Sequence, residues 1–406
     1  MKIIEGGITA PKGFRASGLH CGVKAGGDPD KKDLAIIVSD CLCAAAGTFT
    51  TNKVKAAPVY LSMKNVADGE AQAIVCNSGN ANACAPKGEE NALKMCEETA
   101  KALGLDAEKV LVGSTGVIGH TINIDSITKG IPEAAAALSY DGGEDAAHAI
   151  MTTDTVEKIA AVEFEIGGKT ARLGGIAKGS GMIHPNMGTM LCFLTTDAAV
   201  EKDVLKKILK DCVSVTFNRV SVDGDTSTND TCLILANGMA GNEVVAGEGA
   251  DYDIFKAAVK EVCQTLAIKI AKDGEGATKL MTCSVKGAEN EEKALGLAMS
   301  INKSPLVKTA IFGSDANWGR VLCAMGYSGE DFDPEKVDVA FASKAGTIEV
   351  CKNGRGLDFD EDIALKVLSE DEIVIDVTLR EGSGEAVCWG CDLTYDYVKI
   401  NGDYRT

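Results

Sequence analysis

Residues 178–197 of the chain read KGSGMIHPNMGTMLCFLTTD. A polar, glycine-containing loop passes directly into the apolar run 190–194. A short apolar run bounded by turn residues is typical of a buried strand. The pattern therefore predicts a core strand, with Thr189 at its beginning and the small residue Gly188 just before it.

Thr189 has two interpretations at this position. A threonine hydroxyl becomes a good nucleophile when a base lies beside it, and the residue's own free α-amino group is one such base. Cleavage of the Gly188–Thr189 bond would create that amine, whose ordinary pKa is about 7.7–8.0. Taken alone, the local pattern favours a plain turn followed by a core strand, in which Thr189 is an ordinary hydroxyl.

Similar apolar runs recur and predict further strands, each bounded by Gly, Asn, Asp or Ser. They cover residues 34–38, 73–75, 110–112, 232–236, 337–341 and 373–379. Apolar residues at helical spacing predict helices over residues 90–103, 203–213 and 251–271. Strands and helices mixed in this way indicate an α/β fold with layered, sandwich-type domains. No repeat, low-complexity tract or proline-rich linker marks a domain boundary.

Composition narrows the class of protein. A length of 406 residues suggests two or three domains, and a net charge of -18 argues against a nucleic-acid partner, which needs a basic face. No apolar run approaches the roughly 20 residues that span a bilayer, and the N-terminus lacks the apolar core of a signal peptide. Fifteen cysteines are expected to be reduced and mostly buried. These features predict a cytoplasmic globular protein without a membrane partner.

Eight further blocks of sequence, together with residues 178–197, carry a family resemblance. The blocks are GGITAPKGFRASG (6–18), CNSGNANAC (76–84), STGVIG (114–119), TTDT (152–155), DGDTSTNDT (223–231), KDGEGATK (272–279), SDANWGR (314–320) and DLTYDYVKINGDYRT (392–406). In this order they resemble the ornithine acetyltransferases, arginine-biosynthesis enzymes also called bifunctional glutamate N-acetyltransferases. The resemblance covers nearly the whole chain.

The resemblance implies self-cleavage at Gly188–Thr189. An alpha chain, residues 1–188, and a beta chain, residues 189–406, would stay interlocked and assemble as an α2β2 heterotetramer. Related enzymes usually carry alanine before the threonine. Because Gly188 is also small, we expect cleavage here too, at a rate that can differ from theirs.

The resemblance also implies the reaction. Thr189 would take acetyl from N2-acetyl-L-ornithine as an ester and pass it to L-glutamate, so that the two amino acids need not be aligned at once. Many members also accept acetyl-CoA as donor, and no CoA-specific motif decides whether this chain does. Beyond these substrates the resemblance implies no cofactor.

Site residues follow from the same resemblance. Thr115 and Gly116 match the pair that stabilises the oxyanion. The remaining matches are substrate contacts, namely Thr152, Lys178, Thr189, Glu275, Asn401 and Thr406. Without the resemblance most of them have an ordinary interpretation: a strand-to-turn segment, a helix-end hydroxyl, a solvated loop lysine or a frayed chain end. Glu275 differs, because a carboxylate just beyond the predicted helix 251–271 opposes the helix dipole, and this small cost favours another role.

Three other features of the sequence could indicate a different kind of site. The single CxxC at residues 388–391 lacks a second CxxC, and its apolar neighbours and the alternating DLTYDYVKI after it favour a strand. The four histidines, at positions 20, 120, 148 and 184, are scattered, and His184, near Thr189 in sequence, is interpreted as a loop histidine. No P-loop or Rossmann glycine motif supports a nucleotide cofactor, and no metal site is predicted.

Two alternative functions stay open from the sequence. In an N-terminal-threonine amidohydrolase, water would replace glutamate as the acceptor of the acyl group. A binding protein with the same fold would not be cleaved at all and would run as one uncut chain.

Overall fold

The computed structural model describes residues 1–24, 30–184 and 190–403. Within these residues the strands are β1 (Lys2–Ile3), β2 (Phe14–Leu19), β3 (Leu34–Phe49), β4 (Glu70–Asn77), β5 (Val110–Ser114), β6 (Lys158–Ile166), β7 (Lys169–Lys178), β8 (Leu191–Thr196), β9 (Val220–Ser221), β10 (Thr231–Ala236), β11 (Leu280–Ala288), β12 (Asp338–Ser343), β13 (Gly346–Lys352), β14 (Arg355–Gly356), β15 (Glu372–Thr378) and β16 (Gly384–Cys391). The helices are α1 (Ala57–Asn65), α2 (Gly88–Leu103), α3 (Ile124–Ala136), α4 (Gly143–Ile150), α5 (Lys202–Ser214), α6 (Ala250–Lys272), α7 (Glu291–Lys303), α8 (Pro305–Phe312), α9 (Trp318–Gly326), α10 (Glu361–Leu368) and α11 (Tyr395–Asp403).

The strands form two sheets. The large sheet has the order β1-β6-β7-β8-β10-β3-β4-β5, and β2 pairs with β3. The small sheet has the order β14-β13-β12-β15-β11-β16-β9. Both sheets are mixed: β8 lies parallel to β10 and antiparallel to β7, whereas β11 lies parallel to β15 and antiparallel to β16.

The strand predicted over residues 190–194 corresponds to β8, which lies in the middle of the large sheet. Leu191 and Phe193 belong to the hydrophobic cluster that packs against α4, whereas Cys192 and Leu194 belong to the cluster formed with α5 and α6. Side chains alternate across a strand, so an uninterrupted apolar run is suited to a strand that is covered on both faces. The prediction of a buried strand here is confirmed.

Helices cover the sheets in layers. α2 and α3 pack on β3, β4 and β5, and α7, α9 and α10 pack on the small sheet. α6 contacts β6 and β7 of the large sheet and also β11 and β16 of the small one, so it lies between the two. The predicted α/β class with layered, sandwich-type packing is confirmed.

The predicted strands and helices are all present, and one segment differs. Residues 388–391 lie in β16, as expected, but the chain from Tyr395 onward is the helix α11 and not an extension of the strand. Thr394 explains the helix start, because its hydroxyl accepts a hydrogen bond from the N–H of Tyr397 at 3.4 Å. An N-terminal cap therefore outweighs the alternating pattern.

The predicted cleavage point does not separate the two sheets. β7 and β3 precede residue 188, whereas their neighbours β8 and β10 follow it. Residues from both predicted chains therefore share one hydrogen-bonded sheet.

Two expectations from the composition can be compared with the described residues. None of the helices among them is both long enough and apolar enough to cross a bilayer. All fifteen cysteines lie within the described ranges and are free thiols, mostly buried.

Candidate active site

The loop before β8 leads into the candidate site. Gly188 and Thr189 lie outside the described residues, and so does Thr406. Met190 is the first described residue after them. Its N–H donates to Asp230 Oδ1 at 2.9 Å, and its carbonyl accepts from the N–H of Thr231 at 3.1 Å. Both backbone groups at the start of the central strand are therefore fixed by consecutive residues of the DGDTSTNDT block.

The same block is tied to the STGVIG turn. Asn229 is buried, and its side-chain amide donates to Ser114 O at 2.8 Å and to Ala81 O at 2.7 Å. Ser114 ends β5 and directly precedes Thr115. One asparagine thus holds the predicted oxyanion segment beside the residues that fix Met190.

Thr115 and Gly116 form a turn with two potential hydrogen-bond donors, the hydroxyl of the buried Thr115 and the N–H of Gly116. Thr115 anchors the turn by donating its N–H to Asn77 O at 3.0 Å. Gly116 has φ +127°, and a Cβ at that position would lie 2.3 Å from the carbonyl carbon of Gly79, so only glycine fits. Among the described residues the Gly116 N–H donates to no backbone carbonyl. Gly116 also lines a cavity, so its N–H can reach a ligand there.

Lys178 is buried and not the solvated loop lysine that its local sequence suggests. It ends β7, where it is register partner of Leu191 at the start of β8, and it is only 2% exposed. Its Nζ donates to Thr152 Oγ1 at 2.7 Å. Burial lowers the pKa of Lys178, and the nearby carboxylate of Asp154 opposes that shift.

A buried ionic network supports this lysine. Asp154 Oδ2 lies 3.7 Å from Lys178 Nζ, and Asp154 Oδ1 accepts from Lys158 Nζ at 2.7 Å. Lys158 also pairs with Asp273 at 2.6 Å. Burial alone would raise the pKa of Asp154, but the charges of Lys178 and Lys158 hold that pKa well below its usual range. The carboxylate is therefore ionised and fixes the TTDT loop against β7.

A cavity of about 770 Å³ connects parts of the predicted site. Its lining includes Gly79, Gly116, His120, His148, Thr152 and Asp154. The cavity thus brings one predicted oxyanion donor and one predicted substrate contact to the same space. His148 and His120 were not predicted to take part.

Glu275 and Asn401 form a second predicted pair. Asn401 Nδ2 donates to Glu275 Oε2 at 2.8 Å, and the N–H of Glu275 donates to Ser180 O at 3.0 Å. A Cβ on Gly181 would lie 2.3 Å from the carboxyl carbon of Glu275, so this carboxylate rests on the backbone of the loop after β7. Its charge also raises the pKa of Lys178, which opposes the effect of burial. The structure therefore brings both residues to the loop that directly follows Lys178.

Sequence reasoning missed Asp154, Lys158, Asp230 and Asp273. Three of the four lie inside blocks that match the family, namely TTDT, DGDTSTNDT and KDGEGATK. The position of these three aspartates inside the blocks was the signal that could have found them. Charge and spacing alone do not reveal that Lys158 pairs with Asp273, more than a hundred residues away.

The weaker signals do not form a site of their own. His184 lies in a loop, as expected, with Nδ1 3.0 Å from Ser221 Oγ, and burial lowers its pKa. Cys388 and Cys391 are buried free thiols. Within the described parts of the chain, no group of three or more His, Cys, Asp or Glu side chains could hold a metal ion.

Known proteins resemble this chain along its whole length. The sequence model of the ArgJ family matches residues 15–406. The arginine biosynthesis bifunctional protein ArgJ of Caldanaerobacter subterraneus subsp. tengcongensis is 54% identical over 407 residues, which cover 100% of both chains. A glutamate N-acetyltransferase of Methanocaldococcus jannaschii is 48% identical over 415 residues, again with 100% of both chains covered.

A solved structure also matches part of the chain. It is the crystal structure of arginine biosynthesis bifunctional protein argJ from Bacillus halodurans, which is 45% identical to this chain. The match has a TM-score of 0.49 and covers 52% of this chain and 97% of the other.

Proposed function

The chain belongs to the ArgJ family, and from this premise we propose that it moves acetyl from N2-acetyl-L-ornithine to L-glutamate through an acetyl ester of Thr189. It is an acetyltransferase of arginine biosynthesis, like its bifunctional and glutamate N-acetyltransferase relatives. One observation supports the proposed mechanism most directly. The STGVIG turn, the end of β7 at Lys178 and the DGDTSTNDT block converge where β8 begins.

The first step of the proposed mechanism is self-cleavage. Thr189 Oγ attacks the carbonyl carbon of Gly188, the C–N bond breaks, and the hydroxyl proton ends on the released nitrogen. Water then opens the ester, which leaves a free hydroxyl and a free α-amine on Thr189. The two resulting chains stay together because β7 remains paired with β8 and β3 with β10.

In the second step the amine serves as the base for acetyl transfer. The hydroxyl of Thr189 attacks the acetyl carbonyl of acetylornithine, ornithine leaves, and the amine of glutamate later takes the acetyl group. The Gly116 N–H and the Thr115 hydroxyl donate to the oxyanion, an assignment supported by the position of Gly116 on the cavity that Thr152 also lines. Glu275 pairs with an ammonium group of the substrate, Asn401 orients that carboxylate, and the Thr152–Lys178 pair receives a substrate carboxylate. We also propose Thr406 as a substrate contact, on the basis of the family resemblance.

The remaining parts of the proposal concern assembly and surroundings. We propose an α2β2 heterotetramer in the cytoplasm, with small molecules as its other partners and no resident cofactor, because the ester chemistry needs only protein groups. The bifunctional names of relatives support acetyl-CoA as a second donor. Measuring glutamate acetylation separately with acetylornithine and with acetyl-CoA tests that choice.

The amidohydrolase alternative is separated from the transferase by one assay. We expect acetylornithine to be consumed rapidly only when glutamate is present, with N-acetylglutamate formed in equal amount. Consumption at the same rate without glutamate would favour water as the acceptor. An uncut, inactive wild-type chain on a denaturing gel would favour the binding protein.

Kinetics should reveal the covalent intermediate. If Thr189 carries the acetyl group between two half-reactions, varying acetylornithine at several glutamate concentrations gives parallel double-reciprocal lines. Mass spectrometry of enzyme mixed with acetylornithine alone should find the beta chain heavier by one acetyl group. Intersecting lines without an acetylated chain would contradict the covalent route.

Replacing Glu275 by glutamine should weaken substrate binding more than turnover. A hydrogen bond to a charged group contributes about 1.5–3 kcal/mol, so we expect the KM for acetylornithine to rise by about 10- to 100-fold. kcat should change much less, because the ammonium group keeps its charge throughout the reaction.

Glu381, in the connection between β15 and β16 of the small sheet, supplies the control substitution. Glu381→Gln removes a carboxylate that pairs with Lys293 and accepts from the N–H of Asp333, and it should leave both constants near wild type. Equal effects of the two substitutions would show that Glu275 has only a structural role.

A further inference from the structure

The carboxylate of Asp154 lies between the two residues of the proposed carboxylate-binding pair, Thr152 and Lys178. Its side chain is 0% exposed. Oδ1 accepts from Lys158 Nζ at 2.7 Å and from the N–H of Gly179 at 2.7 Å. Oδ2 accepts from the N–H of Thr152 at 3.0 Å and lies 3.7 Å from Lys178 Nζ. One buried carboxylate thus contacts both members of the pair and the first residue after β7.

The distances show that Asp154 holds this pair without using the hydrogens that a ligand needs. Lys178 Nζ donates to Thr152 Oγ1 at 2.7 Å, and an ammonium group has three hydrogens. The 3.7 Å separation from Asp154 Oδ2 is that of an ion pair and exceeds a hydrogen-bond distance. The Thr152 hydroxyl accepts from the lysine, carries a hydrogen of its own and borders the cavity of about 770 Å³. The pair can therefore donate to both oxygens of a ligand carboxylate.

Asp154 is also the counter-ion of Lys178. Burial lowers the pKa of Lys178, and of the charges around it Asp154 raises that pKa most. Lys158 has the opposite effect, and Glu275 adds to that of Asp154. The second buried carboxylate, Asp273, lies 2.6 Å from Lys158 Nζ and so pairs with the other lysine. Removing the charge of Asp154 would leave the Lys178 ammonium buried without its nearest anion.

Resting on the proposed function, we propose that Asp154 is a positioning residue that makes the site selective for amino acids with a free α-carboxylate. It fixes the backbone of Thr152 and the ammonium of Lys178, so that both side chains donate to that carboxylate. N2-acetylornithine, ornithine and glutamate all carry this group. An ionised carboxylate has no hydrogen to donate, so Asp154 acts through the pair.

The part of the proposed site that binds an ammonium group has contacts of its own. Glu275 accepts from Asn401 Nδ2 at 2.8 Å and donates its N–H to Ser180 O at 3.0 Å. Ser180 Oγ in turn donates to the carbonyl of Asp273 at 2.7 Å. A change at Asp154 leaves these contacts in place. Recognition of the carboxylate can therefore be measured separately from recognition of the ammonium group.

The test measures the binding of two ligands to the purified full-length protein by calorimetry. The ligands are ornithine and 1,4-diaminobutane, which is ornithine without its carboxylate. Wild type should bind ornithine more tightly than the diamine. For Asp154→Asn we expect the Kd for ornithine to rise about 10- to 100-fold, the usual range for a hydrogen bond to a charged group, and the Kd for the diamine to stay within about threefold.

A double-mutant comparison tests whether Asp154 acts through Lys178. Lys178→Met removes the ammonium group itself and should lower the preference for ornithine at least as much as Asp154→Asn. If one residue acts through the other, the variant with both substitutions should weaken ornithine binding by less than the product of the two single effects.

Asp197→Asn is the matched control. The Asp197 carboxylate is also 0% exposed, but it accepts from the backbone N–H groups of Arg172 at 2.7 Å and of Lys12 at 3.0 Å. This variant should bind both ligands as wild type does.

A second variant covers the case in which Asp154→Asn does not fold. Asp154→Asn combined with Lys158→Met removes one buried carboxylate and one buried ammonium group, so the buried charge stays balanced. It should show the same loss of preference for ornithine, because Lys178 has again lost its counter-ion.

Four outcomes would overturn the proposal. They are a wild type that does not prefer ornithine to the diamine, an Asp154 variant that keeps the wild-type preference, an Asp154 variant that weakens both ligands equally, and an effect that multiplies fully with that of Lys178→Met. The proposed function fails by a different result, namely a wild type that binds ornithine but moves no acetyl from N2-acetylornithine to glutamate.

Discussion

Replacing Thr189 by alanine is expected to leave the 406-residue chain uncut and to abolish acetyl transfer. The substitution removes the hydroxyl that attacks Gly188, so the α-amine is never formed and no acetyl ester can be made. Removing the nucleophile of a covalent hydrolase costs about 10⁶-fold in turnover, and we expect a loss of that order here. A denaturing gel should show one band, where wild type shows chains of residues 1–188 and 189–406.

Two matched variants make this result specific. Thr189→Ser keeps both a hydroxyl and, after cleavage, an α-amine, so it should be cut and retain activity. Thr195→Ala removes a threonine hydroxyl from β8, where it donates to Ile8 O at 2.6 Å, and it should still be cut. N-terminal sequencing of the second wild-type chain should begin Thr-Met-Leu-Cys. Cleavage of Thr189→Ala at the same bond would disprove self-cleavage by this residue.

Local pattern predicted the core of the fold because burial leaves a signal in short segments. The run 190–194 is apolar at consecutive positions since β8 is covered on both faces. The helix predicted over 251–271 repeats apolar residues at helical spacing, and it became α6 (Ala250–Lys272). Such periodicity is set by immediate neighbours and needs no knowledge of distant residues.

Lys178 shows where local pattern fails. Glycine-rich β7 was not among the predicted strands, so its last residue was interpreted, without the family resemblance, as a solvated lysine. Its burial depends on Asp154, on the hydroxyl of Thr152 and on the pairing of β7 with β8. These are contacts across 13 residues or more, and a buried lysine is acceptable only when they exist.

Local pattern also fails to predict the burial of the polar block DGDTSTNDT, for a related reason. Aspartate, asparagine and threonine in succession are typical of a solvated turn. Asn229 and Asp230 are nevertheless buried, because their side chains satisfy backbone groups of other loops at Ser114, Ala81 and Met190. From sequence alone, a polar side chain that binds backbone groups of a distant loop cannot be distinguished from one that binds water, because the position of that loop is not known.

Replacing Thr115 by alanine should lower kcat by about 10²–10³-fold, the usual cost of losing one oxyanion donor. Thr115 directly follows Ser114, which Asn229 ties to the residues that fix Met190. The KM for acetylornithine should change little, because the oxyanion exists only beyond the ground state. Gel densitometry over time should also show slower cleavage if the same donors serve both tetrahedral intermediates.

Thr99→Ala provides the structural control for that substitution. Thr99, like Thr115, is a buried threonine, and it lies on α2, where its hydroxyl has no hydrogen-bond partner among the described residues. Both variants remove one hydroxyl from a buried threonine, so both should keep a circular dichroism spectrum and Tm near wild type. Only Thr115→Ala should lose turnover. A processed Thr115→Ala enzyme with normal kcat would mean that the oxyanion is held by other donors, of which the Gly116 N–H, already free and beside the cavity, is the first to consider.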